Sequence, residues 1–470
     1  MKNYPSSAHP YMANSPVSVQ DEMLKAIGAE NIEELFEQIP ADHRLKRPLD
    51  LPPQLLSEAE LKRHMMETLS RNRTCEENLS FLGGGCWQHY VPAVVEEIAH
   101  RSEFLTPVWG SPESDHGRNQ AWFEYCSQLG ELIKMETVGL PVYSWGVAAG
   151  HALRMASRIT GRHEVLVPGT TGPERLSVIR NFCEPPEMEG HIAVTVVDYD
   201  AETGLMDLSD LERKISAKTA AVYFENPSYL GFIESQGAGI AEIARAHGAE
   251  TVVGVDAISL GVLAAPADYG ADIVVGTTQP FGVHMNCGGG TCGFVASRDE
   301  VKYVSEYPTL MISIADTAAA GEYGFGLSSA HQSSYGLRDK GKDWTGTSVY
   351  LWGIAGAVYM ALLGPQGFRE IGELIIKRAN YAARKLAEID GVQVRLEAPF
   401  FKEFVVNFDR AGKTVADVNA GLKARGIFGG HDLSGEFPAL GQSAFYCVTE
   451  IHSQGDVDRL DGALREVLSQ

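Results

Sequence analysis

The segment VVGVDAISLGVLAAPADYGADIVVGTTQPFGVHMNCGGGTCGFVAS (252–297) carries the reading of the fold. It holds three short apolar runs within TVVGVDAI (251–258), DIVVGT (272–277) and GTCGFVAS (290–297). The runs are continuous where a half-exposed strand would alternate, as expected for strands covered on both faces in a mainly parallel sheet. The same texture recurs upstream in EVLVPG (164–169), IAVTVVDY (192–199) and AAVYFENP (220–227). Between these lie PERLSVIRNF (173–182), LSDLERKI (208–215) and AGIAEIARAHG (238–248), and RNQAWFEYCSQLGELIKM (118–135) precedes them; all four have helical spacing. Residues 116–345 therefore read as a large α/β domain with helices on both faces of its sheet.

Two flanking regions differ. Residues 346–470 alternate more loosely, with a long helix (367–389), strands at VQVRL (392–396), EFVVNF (403–408) and AFYCVT (444–449), a helix at VADVNAGLKARG (415–426), and a last helix capped by Ser453 with Asp456 and Asp458 in its first turn. This is a smaller α+β C-terminal domain. Residues 1–115 read as an N-terminal helical arm. NIEELFEQIP (31–40) is a short amphipathic helix ended by Pro40, RPLDLPPQLL (47–56) is a proline-broken connector, and Ser57 with Glu60 opens a further helix in capping-box fashion. Such a segment suits wrapping a neighbour.

The composition is that of a globular protein, with 44% hydrophobic and 21% charged residues. No apolar run approaches the ~18 residues of a membrane span, and the first residues lack an apolar signal-peptide core, so the cytoplasm is the expected compartment. A net charge of −22 disfavours nucleic acid as a partner and otherwise serves solubility. Seven cysteines without a CxxC pair fit reduced thiols, and no metal-ligand spacing is present.

Ligands of open α/β sheets bind beyond the carboxyl ends of the strands. Asp256 ends one such strand. Its carboxylate is placed either to pair with the protonated ring nitrogen of a pyridoxal cofactor or simply to cap the following turn. About twenty residues later, GTTQPFGVHMNCGGG (276–290) occupies the place where a pyridoxal enzyme needs a lysine to condense with the cofactor aldehyde. No lysine occurs between Lys218 and Lys302. His284 in this loop is a base for a lysine-free variant or a structural hydrogen-bonding group. SFLGGGCWQHYVP (80–92) places three glycines, which permit close backbone approach, before His89 and Tyr90. These two are proton donors in a shared site or anchors of the turn. SWGVAAGHA (144–152) stands where a phosphate-binding helix start is expected.

Taken together, SFLGGGCWQHYVPAVVEEIAHRSEFLTPVWGSPES (80–114), the elements DxISLG, PxxYGADIVVG and QPFG within 252–297, and the start at HPYMANSP resemble the glycine dehydrogenase (decarboxylating) P-protein, specifically subunit 1 of its two-subunit form. The resemblance covers most of the chain. It implies the pyridoxal-phosphate-dependent aminotransferase-like fold (fold type I). It also implies an α2β2 tetramer in which subunit 2 bears the lysine and the pyridoxal phosphate, glycine loses its carboxyl group there, and the aminomethyl group passes to a lipoyl H-protein carrier. Carried over, Pro280 takes the lysine slot, Asp256 the ring-nitrogen slot, and Gln279 stands beside them in a vestigial pocket.

The chain departs from that family at YSWGVAAGHALRMA (143–156), at LRDKGKDWTGTSVY (337–350) and at Trp109–Gly110. Three functions follow for test: a non-lysine subunit completing a partner's site through His89 and Tyr90, for glycine or for another small amino acid; a self-sufficient enzyme with noncovalent cofactor and His284 as base; and a non-catalytic pseudoenzyme scaffold.

Overall fold

The computed structural model describes residues 8–469 except 10, 106–111, 189, 329–340, 347 and 396, together with the backbone but not the side chains of 112–117. Trp109, Gly110 and, within 337–350, residues 337–340 and 347 lie outside the described residues. The chain forms two compact units, Met1–Arg73 and Thr74–Gln470.

The first unit is two helices and a turn. Val17–Ile27 ends on Gly28, which adopts a left-handed φ of +74°. The helix expected within 31–40 is a single 3-10 stretch, Ile32–Phe36, capped by Asn31, whose side chain accepts from the Glu34 N–H. Ser57 caps Glu58–Leu69 by accepting the Glu60 N–H. None of these elements has a buried residue.

In the second unit, β1 (Leu79–Ser80) leads into the triple-glycine loop. A seven-stranded sheet follows: β2 (Thr137–Val138), β3 (Glu164–Pro168), β4 (Ala193–Val197), β5 (Thr219–Glu225), β6 (Glu250–Asp256), β7 (Ile273–Thr277) and β8 (Gly293–Ser297). Its order is β2-β8-β7-β6-β5-β3-β4. The pairs β4–β3–β5–β6–β7 are parallel, and β8 runs antiparallel to both β7 and β2. The two faces account for the continuous apolar runs. Leu166, Val222, Phe224, Val253 and Val274 enter one core, with the helices Pro112–Ile133, Gly237–Ala246 and the first part of Tyr350–Ala387. Their neighbours Val165, Val167, Ala221, Tyr223, Val252 and Val275 enter the other, with the helices Trp145–Thr160 and Pro173–Cys183. A strand between two helical layers has no wet face on which to place polar residues.

The hairpin β9 (Ile312–Asp316) and β10 (Tyr323–Leu327) has no counterpart in the sequence reading. The helix expected at 367–389 is the second part of Tyr350–Ala387, which breaks where Gly364 takes φ +59° ahead of Pro365. Beyond it lies a second, antiparallel sheet of order β11-β12-β15-β14, formed by β11 (Gln393–Arg395), β12 (Glu403–Asn407), β14 (His431–Asp432) and β15 (Ser443–Cys447). Its strand neighbour β13 (Ile427–Phe428) pairs in parallel with β1. That pairing brings the glycine loop against the small sheet. The last helix, Gln454–Leu468, carries the full capping box of Ser453 and Asp456.

Candidate functional site

The carboxyl ends of β5 and β6, the glycine loop and the entry to β12 converge on one buried cluster. Asp256 closes β6. Lys402, one residue before β12, sends its ammonium to 2.7 Å from Asp256 Oδ2, with the two side chains 2% and 4% exposed. The contact is ionic; neither Asp256 oxygen receives a well-directed hydrogen bond among the described residues. The same ammonium lies 3.4 Å from the centre of the Trp87 ring and 3.2 Å from His89 Nε2. An ammonium has donors only, so His89 Nε2 accepts and its Nδ1–H is left to donate. It donates to Glu450 Oε2 at 2.7 Å, while Glu450 Oε1 accepts the Tyr90 N–H at 2.8 Å. Burial works to raise the Glu450 carboxyl, but the hydrogen bonds from the His89 ring and the Tyr90 N–H oppose it and hold it below the usual carboxylate range.

Glu403, the next residue, points to the glycine loop. Its Oε1 accepts the Gly84 N–H at 2.6 Å and the Trp87 indole N–H at 2.8 Å. Burial pushes its carboxyl up, against the pull of Lys402. This explains the glycines. A Cβ on Gly83 would lie 2.2 Å from Glu403 Oε1, and Gly84 and Gly85 take φ of +92° and +114°. The close approach read from the sequence is thus an approach to the chain's own small sheet.

On the far side, Ser144 caps the helix Trp145–Thr160, accepting from the Val147 N–H. Trp145 turns its indole into the cavity and donates to Tyr223 Oη at 3.1 Å. Tyr223 in turn donates to Glu225 at 2.8 Å. Arg175 pairs with Glu225 through Nε at 2.9 Å and a second nitrogen at 3.0 Å, and its guanidinium lies 4.3 Å from the Trp145 ring centre. Burial raises the Glu225 carboxyl, and Arg175 opposes it. What remains between Trp87, Trp145, Arg175, Asp256 and Lys402 is a cavity of about 10 Å³, the space of roughly one water.

The sequence-predicted residues separate into three places. Asp256 and His89 join the cluster through Lys402. Gln279 is buried, and its amide grips the Trp87 backbone at both ends, accepting from N at 3.0 Å and donating to O at 2.9 Å; Pro280 follows it, also buried. Tyr90 turns outward, 63% exposed. His284 lies at the surface, its side chain 59% exposed and 2.7 Å from Glu96, and does not line the cavity. Lys402, Glu403, Glu450, Trp87, Trp145 and Arg175 were not foreseen. The Lys-Glu pair inside FFKEFVVNF (400–408) was the available signal, since charges set in a buried apolar run need partners.

The strand order, the antiparallel β8 and the separate small sheet define a protein of the pyridoxal-phosphate-dependent fold type I. A sphingosine-1-phosphate lyase of Burkholderia pseudomallei has the same fold, with TM-score 0.64 at 16% identity over 90% of this chain and 93% of that one. A much nearer likeness is the crystal structure of a glycine decarboxylase (P-protein) of the glycine cleavage system in inhibitor-bound form. It has TM-score 0.84 and 32% identity, covering 98% of this chain and 100% of that chain. A probable glycine dehydrogenase (decarboxylating) subunit 1 of Staphylothermus marinus is 35% identical over 98% of this chain and 99% of its own. Residues 10–431 match the glycine cleavage system P-protein family, and the chain belongs to that family as a homologue of subunit 1.

The residues of this pocket do not fit pyridoxal phosphate. Asp256 already faces a cation, indole and guanidinium groups occupy the space beside it, and the loop 276–290 offers no amine.

Proposed function

We propose that this chain is the lysine-free subunit of a glycine dehydrogenase (decarboxylating). In this reading a lysine-bearing subunit 2 carries the pyridoxal phosphate, and the two form an α2β2 tetramer in the cytoplasm. Glycine loses its carboxyl group in the partner's site, and the aminomethyl group passes to a lipoyl carrier protein. The observation that carries the reading is the pocket filled by Lys402, Trp87, Trp145 and Arg175, with about 10 Å³ left. A chain whose own site is closed contributes at a shared one. Tyr90 is the group we assign to the partner's site because its side chain faces outward. His89, with both ring nitrogens engaged, holds that segment in place.

The test is co-expression with the lysine-bearing subunit, followed by CO2 release from labelled glycine in the presence of a lipoyl carrier. The reading expects a stable complex that turns over glycine, and no turnover by either chain alone. Turnover of an amino acid by the lone chain contradicts it. A complex that turns over alanine or serine in place of glycine keeps the subunit role and changes the substrate.

A further inference from the structure

We infer that the closed pocket is a positioning device: Lys402, acting through His89 and Glu450, fixes the segment Cys86–Val91 so that Tyr90 is presented to the partner subunit. The inference rests on the reading above that Tyr90 is the group offered to the partner's site.

Four consecutive residues of the segment, Trp87 to Tyr90, are held by side chains from three places in the fold. Gln279, beyond β7, grips both backbone groups of Trp87. Glu403, at the start of β12, takes the Trp87 indole N–H at 2.8 Å. Thr449, after β15, donates its hydroxyl to the Gln88 carbonyl at 2.8 Å. Glu450 then clamps the next two residues with one carboxylate, through the His89 ring at 2.7 Å and the Tyr90 N–H at 2.8 Å. Arg378, from the long helix, donates to the Glu450 carbonyl and steadies the clamp.

Lys402 joins this clamp to the pocket. Its ammonium rests between Asp256, the Trp87 ring and His89 Nε2. The hydrogen bond to Nε2 leaves the proton on Nδ1, where Glu450 needs a donor. Removing the ammonium frees the His89 ring to change tautomer and rotate, and the carboxylate that holds the Tyr90 backbone loses its fixed partner. A loop serving only as a connector has no use for a buried ammonium, which is costly to desolvate. Lys402, His89, Glu450 and Gln279 are therefore positioning residues, and Tyr90 is the residue they position.

The experiment uses the co-expressed complex with the lysine-bearing subunit and two variants, Glu450→Gln and the double variant Lys402→Met with Asp256→Asn. The double variant removes the buried charge pair together, so that no lone carboxylate is left to unfold the chain. Two quantities are read: amide hydrogen exchange by peptide, and kcat and KM for glycine. Exchange in 86–91 is expected to rise about tenfold or more while β6 stays protected. In parallel, kcat is expected to fall about tenfold with KM within about threefold, as for a group that acts in the transition state. Wild-type exchange in 86–91 in both variants overturns the inference, and so does a rise spread evenly over the chain. Tyr90→Phe is run beside them. Wild-type turnover in that variant overturns the assignment of Tyr90 itself, whatever the exchange shows.

Discussion

Lys402 Nζ and Asp256 Oδ2 lie 2.7 Å apart in a space from which solvent is almost excluded. The carboxylate expected to meet a ring nitrogen meets an ammonium of its own chain. Breaking one side of a buried pair costs more than removing both, because the remaining charge has no partner. Lys402→Met should destabilise the chain by about 3–5 kcal/mol, and adding Asp256→Asn should recover more than half of the loss. Urea midpoints of the single and double variants check this; equal losses in the two would show that the pair is not coupled.

Gly83 has no room for a side chain. Its Cβ would fall 2.2 Å from Glu403 Oε1, an oxygen already held by the Gly84 N–H and the Trp87 indole. Gly83→Ala must displace that carboxylate and break both bonds, at roughly 2–4 kcal/mol. Chemical denaturation measures the loss, and indole fluorescence should report a change around Trp87.

The acid limb of stability carries a signature of Glu450. Its carboxyl is held below its ordinary 4.5 in the folded chain by the hydrogen bonds from His89 and the Tyr90 N–H. A depressed acid adds stability above its unfolded value and loses it as pH falls toward the folded one. The contribution is therefore full above about pH 5 and fades as pH falls below about 4.5. Glu450→Gln lacks this term. The gap in unfolding free energy between wild type and variant should be widest near neutral pH and narrow as pH drops through 4. A gap independent of pH over that range contradicts the assignment.

Trp145 fills the pocket and gives Arg175 a face to rest on. Trp145→Ala should cost about 3–5 kcal/mol and leave an open cavity bordered by Tyr223 and Arg175, visible in a crystal structure of the variant. Collapse of Arg175 into the space would give a loss at the low end of that range.

The layered fold was legible because the inner strands of the main sheet are buried on both sides, as Val165, Leu166 and Val167 illustrate by entering alternate cores. Asp256 was legible from its place at a strand end, and the absent lysine from the loop 276–290 itself. The filling of the pocket was not. Lys402 lies 146 positions further along the chain than Asp256, and only the tertiary packing of the small sheet against β6 joins them. The 3-10 turn at Ile32–Phe36 and the hairpin β9–β10 escaped for a different reason. Both are short and exposed, so neither imposes a sustained apolar period on its residues. The pairing of His89 with Glu450 spans 361 positions and leaves no local trace.

The most direct test of the central claim is to incubate the purified lone chain and the co-expressed complex with pyridoxal phosphate, reduce each with borohydride, and map the modified lysines by peptide mass. The account expects the label on a lysine of the partner subunit in the complex, and none on Lys402 in either sample. A phosphopyridoxyl group fixed to Lys402 would mean that the pocket opens to hold the cofactor, and would contradict the account.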